Sequence, residues 1–165
     1  MNAIFSRTSV RSFENRLVEK GKIEKLLQAA MAAPSAMNQQ PWEFYVVNDI
    51  NKLEALAKVS PYAGPIGRAT VAIVPCIAKD RLQLIEYGEI DLSIASENIL
   101  LEAQHQELGA VWIGIAPHKE RMEQVADVLH MTERLSPFAV IPVGYPLEKK
   151  QQENRYDASR VHYAE

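Results

Sequence analysis

One cysteine in 165 residues, Cys76, leaves the chain without an internal disulfide. That fits a reducing compartment. The N-terminal residues also lack the basic-then-apolar order of a secretory leader, so a cytoplasmic location is expected. No apolar run approaches the roughly 20 residues needed to span a bilayer, and no membrane association is expected. A formal net charge of −3 gives no electrostatic reason to bind nucleic acid. The sequence has no G-x-S-x-G, no G-x-G-x-x-G and no C-x-x-C. A nucleophile elbow, a dinucleotide fingerprint and a redox dithiol are thereby excluded. Gly64 and Gly67 have neither the spacing nor the lysine of a phosphate loop. The histidines His105, His118, His130 and His162 never fall at metal-ligand spacing, so no metal is expected. Carboxylates occur mostly as helix-surface charges, and no acid/base pair stands out. If the chain does chemistry, a cofactor supplies the reactive group.

Against these absences one stretch is dense in special-purpose residues: A-P-S-A-M-N-Q-Q-P-W at 33–42. Pro34 and Pro41 fix two backbone dihedrals and remove two amide donors, so neither neighbouring element can continue through it. Ser35, Asn38, Gln39 and Gln40 offer donors and acceptors without charge. Such a loop suits a neutral, planar, hydrogen-bonding ligand better than a metal or phosphate. It reads equally as an ordinary helix–strand connection facing water. Near the start, Arg7, Ser9 and Arg11 alternate, so an extended backbone projects all three to one side. Two guanidinium groups and a hydroxyl can hold an anion, though taken alone a solvated basic terminus is the simpler reading.

The remaining pattern alternates helices and strands in one domain spanning 1–165. Ile23, Leu26, Leu27, Ala30 and Ala33 predict a helix over 18–33, stopped by Pro34. Residues 42–48 read as an aromatic, β-branched strand, and 51–59 as a short helix. The continuous apolar run 70–78 predicts a strand buried on both faces, with Cys76 an inert core thiol. Residues 88–108 form the longest helical candidate, apolar on most sides; a second subunit is expected to cover what the sheet does not. A buried strand follows at 110–115, where Gly114 permits close approach of a ligand or backbone. Residues 118–129 read as an amphipathic helix with Pro117 in its first turn, and 138–145 as a last strand. The tail from 147 to 165 is polar but holds Arg155, Arg160, His162 and Tyr163.

Together these segments resemble the nitroreductase family of FMN enzymes. The resemblance is carried by R-T-S-V-R-S-F at 7–13, A-P-S-A-M-N-Q-Q-P-W at 33–42, D-L-S-I-A-S-E-N-I-L-L-E-A at 91–103 and L-G-A-V-W-I-G at 108–114. The tail blocks V-G-Y-P, N-R-Y-D and V-H-Y within 143–163 belong to it too. Each block is weak alone; in this order, over nearly the whole chain, they are specific.

The resemblance implies an α+β fold, a mixed but mainly antiparallel central sheet flanked by helices, in an intertwined homodimer with FMN at the interface. Arg7 and Ser9 would hold the phosphate and ribityl end, joined by Arg155. Arg11 would lie near the pyrimidine edge of the ring. Pro34, Ser35, Ala36 and Asn38 would come from the partner subunit, with Gln40 in support. Ile113 would contact the flavin, and the Gly114 amide would lie beside flavin N5. NADH or NADPH would donate hydride, and a nitroaromatic, quinone or similar acceptor would then take it in a ping-pong cycle. A binding protein that stores or senses FMN is the alternative, and a dimeric scaffold with a degenerate ligand loop is a third reading.

Two departures from the family pattern carry expectations. Typical members are longer, with an insertion that lids the site; here only residues 79–87 separate strand from central helix, so an open flavin face is expected. Members often place a second basic residue shortly before the tail arginine; here Gln151–Asn154 reads Q-Q-E-N, so Arg155 is expected to act alone. Relatives that dehalogenate aromatics or break down flavin show that the fold does not fix the reaction.

Overall fold

The computed structural model describes residues 2–148 and 150–164. Its helices are α1 (Ala3–Ser6), α2 (Lys20–Met31), α3 (Ile50–Leu56), α4 (Gly88–His105) and α5 (Lys119–Leu129). Its strands are β1 (Trp42–Val47), β2 (Val71–Ala78), β3 (Gly109–Ala110), β4 (Ile113–Gly114), β5 (Leu135–Pro137) and β6 (Ala139–Gly144). The sheet runs β1-β2-β6-β3, with β4 also on β6 and β5 also on β2. Every ladder between these strands is antiparallel. A single-residue bridge, Ser9 to Ala110, adds the parallel pairing that makes the sheet mixed. The fold is α+β, as the resemblance implied.

β2 shows why its sequence is a continuous apolar run. Side chains alternate across a strand. Val71 and Ile73 join a core with α2 and α4, while Ala72, Val74 and Cys76 join one with α3 and α5. Both faces are therefore buried, giving three layers. Burial also pushes the Cys76 thiol up to about 12, so it is an inert core group. No described helix is long and apolar enough to cross a membrane.

The structure corrects several boundaries. The strand expected to reach 48 ends at Val47, because the Asp49 side chain accepts from the Lys52 N–H (2.9 Å) and opens α3 there. α3 stops at Leu56 rather than 59. The expected strand 110–115 is interrupted at residues 111–112, though both pieces keep one register against β6. The long helix ends at His105, not 108. Glu107 turns left-handed (φ 61°), and the Leu108 N–H reaches back to the Ala103 carbonyl (2.8 Å). Pro117 lies outside α5, whose N-cap is His118. Neither the four-residue α1 nor β5 was expected, both being too short for periodicity to register.

α4 is the axis of the molecule. Leu92, Ala95, Ile99 and Ala103 are buried against α2 and the sheet, while Ile90 and Ile94, one turn apart, are exposed. The apolar coat is thus covered on one side only within the chain.

Candidate functional site

Residues 9–14 run along the outer edge of the sheet. The Val10 N–H donates to the Ala110 carbonyl (3.0 Å), Glu14 to Tyr145 (2.8 Å), and Leu147 to Ser12 (3.2 Å). Val10 and Phe13 turn inward and are buried. Two glycines make room for them: a Cβ at Gly109 would lie 2.6 Å from Val10, and one at Gly144 would lie 3.0 Å from Phe13. Anchored by its apolar members, this strap presents its polar ones outward.

Arg7, Thr8, Ser9 and Arg11 line a cleft of about 280 Å³, closed on the other side by residues 150–153 and Arg155. The structure therefore brings together four sequence-predicted residues from opposite ends of the chain. Arg7 Nε lies 3.3 Å from Glu97 on α4, and Arg11 Nη1 donates to the Ser9 carbonyl (3.4 Å). In its hydrogen-bonding orientation the Gln152 amide donates to the Arg7 carbonyl (2.6 Å), tying tail to strap. The expectation that Arg155 stands alone is corrected, because Lys150 lines the same cleft. Its basic charge lies upstream of Q-Q-E-N rather than within it. Three guanidinium groups, an ammonium and hydroxyls, against the carboxylates of Glu153 and of Glu97 beside Arg7, form a donor set that fits a phosphate ester.

The proline-flanked loop is built differently. Ala36–Asn38 form a single 3₁₀ turn, with Met37 (φ 50°), Asn38 (φ 52°) and Gln40 (φ 45°) left-handed. Outside glycine such backbone is strained and persists where surrounding contacts enforce it. On the surface, the Gln40 N–H donates to Ser35 Oγ and the Gln40 carboxamide to Asn38 Oδ1, each at 3.0 Å. Beneath, Asp91 in the first turn of α4 is almost fully buried. Its Oδ1 accepts from the Ala36 N–H (2.9 Å) and its Oδ2 from Gln39 Nε2 (2.7 Å). The Gln39 side-chain oxygen then accepts from the N–H groups of Gln83 (2.9 Å) and Leu84 (3.0 Å). Pro34, Asn38 and Gln40 remain exposed, and Ser35 and Ala36 half-buried.

Ile113 is buried, and the exposed Gly114 follows it at the end of β4. Nothing lies within 4 Å of a Cβ built on Gly114. Unlike Gly109 and Gly144, this glycine is not explained by packing within its own chain.

The basic cleft includes no residue of 34–40, nor Ile113 or Gly114. Sequence reasoning missed Thr8, Lys150 and Asp91, and it named Gln39 for the loop's polar character without its buried partner. Asp91 had a signal, an acid directly before the apolar core positions of α4. Lys150 had none beyond its charge.

A family model described as the nitroreductase family matches residues 4–64 and 59–145. A protein of Methanothermobacter thermautotrophicus, provisionally named NADH dehydrogenase/NAD(P)H nitroreductase, is 39% identical over 162 residues, covering 98% of this chain and 85% of that one. The crystal structure of a provisionally named NADH oxidase from Clostridium acetobutylicum superposes with TM-score 0.96 at 43% identity, covering 99% of both chains. An FMN-dependent nitroreductase from Clostridium difficile R20291 superposes at 0.91 with 29% identity, covering 99% of this chain and 98% of that one. The short length is therefore shared by solved relatives. With a family match over most of its length, this chain belongs to the nitroreductase family.

Proposed function

We propose that this chain is an FMN-dependent oxidoreductase that takes hydride from NADH or NADPH and delivers it to an electron-poor acceptor such as a nitroaromatic or quinone. The cleft that gathers Arg7, Ser9, Arg11, Lys150 and Arg155 carries this reading. Bound FMN would supply the hydride-accepting and hydride-donating chemistry, one partner at a time, giving ping-pong kinetics.

The chain's own residues bind, orient and stabilise. Arg7, Lys150 and Arg155 hold the phosphate, and Ser9 the adjoining ribityl hydroxyls. Arg11 places a fixed cation where negative charge develops on reduction. Pro34, Ser35, Ala36 and Asn38 line the ring, with Gln40 fixing the Asn38 carboxamide. Ile113 backs the site, and Gly114 leaves room for close approach. Stacking and proximity supply the rate, so no protein acid is assigned.

The working unit is a homodimer. Within one chain the basic cleft includes no residue of the 34–40 loop, and a partner's loop would complete it. Ile90 and Ile94 on α4, with Met37, Ile85 and Tyr87 nearby in sequence to the loop and helix, expose apolar surface suited to that interface. Only the brief 3₁₀ turns Lys79–Arg81 and Ile85–Tyr87 fill the 79–87 segment between β2 and α4, which supports an open ring face. The single core thiol and pyridine-nucleotide donor suit the cytoplasm.

Purified protein tests this directly. It should be yellow, bleach anaerobically with NADH or NADPH, and regain colour with a quinone or nitroaromatic. A protein that ignores added FMN overturns the reading. Colour without bleaching assigns it to flavin storage instead.

A further inference from the structure

We propose that Asp91 and Gln39 form a positioning latch that holds the 35–40 turn in its ligand-ready shape and ties it to the 82–87 segment. The inference rests on the flavin reading above and names residues that the family pattern alone does not single out for this role.

The latch is directional. Asp91 offers only acceptors, one to the Ala36 N–H and one to Gln39 Nε2. This fixes the Gln39 carboxamide with nitrogen toward Asp91 and oxygen toward the N–H groups of Gln83 and Leu84. The same nitrogen also reaches the Leu84 carbonyl at 3.3 Å. Both side chains are buried, Asp91 at 2% and Gln39 at 6% exposure, and among the described residues no cation pairs with Asp91. A buried carboxylate without a counter-ion persists only where hydrogen bonds satisfy it. Here the loop's Ala36 N–H and Gln39 carboxamide do so, and the carboxylate in turn holds a turn with three left-handed non-glycine residues.

The 82–87 segment is coupled through the same carboxamide. It carries the exposed Leu84, Ile85 and Tyr87. Whatever approaches the ring side of the site meets the 35–40 turn and this segment as one mechanical unit.

Asp91→Asn removes the directionality. The new amide turns its nitrogen on the Gln39 amide or on the Ala36 N–H, donor to donor, or forces Gln39 to flip and confront two backbone N–H groups. The exchanged pair, Asp91→Asn with Gln39→Glu, restores the donor–acceptor order. The amide introduced on α4 accepts from the Ala36 N–H through its oxygen and donates through its nitrogen to the carboxylate introduced in the loop. That carboxylate accepts in turn from the N–H groups of Gln83 and Leu84. The contact to the Leu84 carbonyl becomes oxygen against oxygen, so rescue is partial.

The test titrates FMN and riboflavin into wild type, each single variant and the exchanged pair, recording affinity, bound-flavin absorption and melting. Hydrogen bonds to charged groups are of a size that sets the expected loss in either single variant at about tenfold. The loss should be equal for FMN and riboflavin, because the latch serves the ring and not the phosphate, and the bound-flavin spectrum should shift. The exchanged pair should recover a large part of both, including folding if Asp91→Asn alone does not fold. Single variants with wild-type affinities and spectra overturn the latch, as does an exchanged pair no better than the worse single variant. Wild-type protein that binds neither flavin overturns the underlying flavin reading instead.

Discussion

The basic cleft and the proline-flanked loop solve opposite problems within one chain. The cleft is made of long charged side chains at or near the surface, resting on relaxed extended backbone anchored by Val10 and Phe13. The loop is made of short neutral side chains on strained backbone, held from beneath by the buried Asp91 and Gln39. Phosphate recognition tolerates some play, since guanidinium groups reach over several ångströms and act through charge. Lining a planar neutral ring does not, because hydrogen bonds weaken steeply with misalignment. A built, buried support is therefore found under the loop, while the cleft relies on charge.

The sharpest way to break this contrast is to remove charge from the cleft. Arg7→Ala with Arg155→Ala should weaken FMN by about 3 kcal/mol, roughly a hundredfold, through the loss of two charge-assisted contacts. Riboflavin, which lacks the phosphate, should be little affected. Fluorescence titration measures both, and equal losses for the two ligands would remove the phosphate assignment.

Next is the strap's foundation. Gly109→Ala drives a Cβ to 2.6 Å from Val10 and should destabilise the fold by about 2 kcal/mol, read by urea unfolding. The matching change at Gly114, which meets open space, should leave unfolding nearly unaltered.

On the loop, Asn38→Gly is the informative substitution. Glycine accepts the left-handed backbone that alanine resists, so only the carboxamide is deleted. Turnover or flavin reduction potential should change by an amount worth about 1 kcal/mol, with FMN retention nearly intact. Unaltered rates and potential would free Asn38 of any ring contact.

The smallest effect is expected at an exposed ion-pair cluster that joins β1 to the 79–81 turn. Arg134 donates to Glu43 through both terminal nitrogens (2.8 Å each) and to Asp80 (3.0 Å). Those hydrogen bonds hold both carboxyls below their ordinary range. Groups with lowered native pKa stabilise fully above their unfolded values, near pH 4, and lose that contribution as pH falls through the native ones. Arg134→Ala should thus lower stability slightly at neutral pH, as exposed ion pairs do, and match wild type in strong acid. Denaturant midpoints at several pH values check this. If FMN affinity follows the same pH trend, this cluster supports the site as well as the fold.

The sequence by itself determined the succession of the longer elements and the chemistry of both regions. Prolines must end helices and strands, a continuous apolar run must be buried on both faces, and arginines alternating with serine must share a side of an extended strap. Those are local consequences of dihedral limits and side-chain period. Only tertiary structure decided that Lys150 shares the cleft, that Asp91 is buried rather than solvated, and that the expected strand 110–115 breaks at residues 111–112. Each depends on which distant segments meet. Lys150 meets Arg7 only because the tail folds back on the strap, and Asp91 can be buried only because an amide 55 residues away arrives to satisfy it. Hydrogen-bond partners across such separations leave no periodic trace in the chain, and so they become visible only once it is folded.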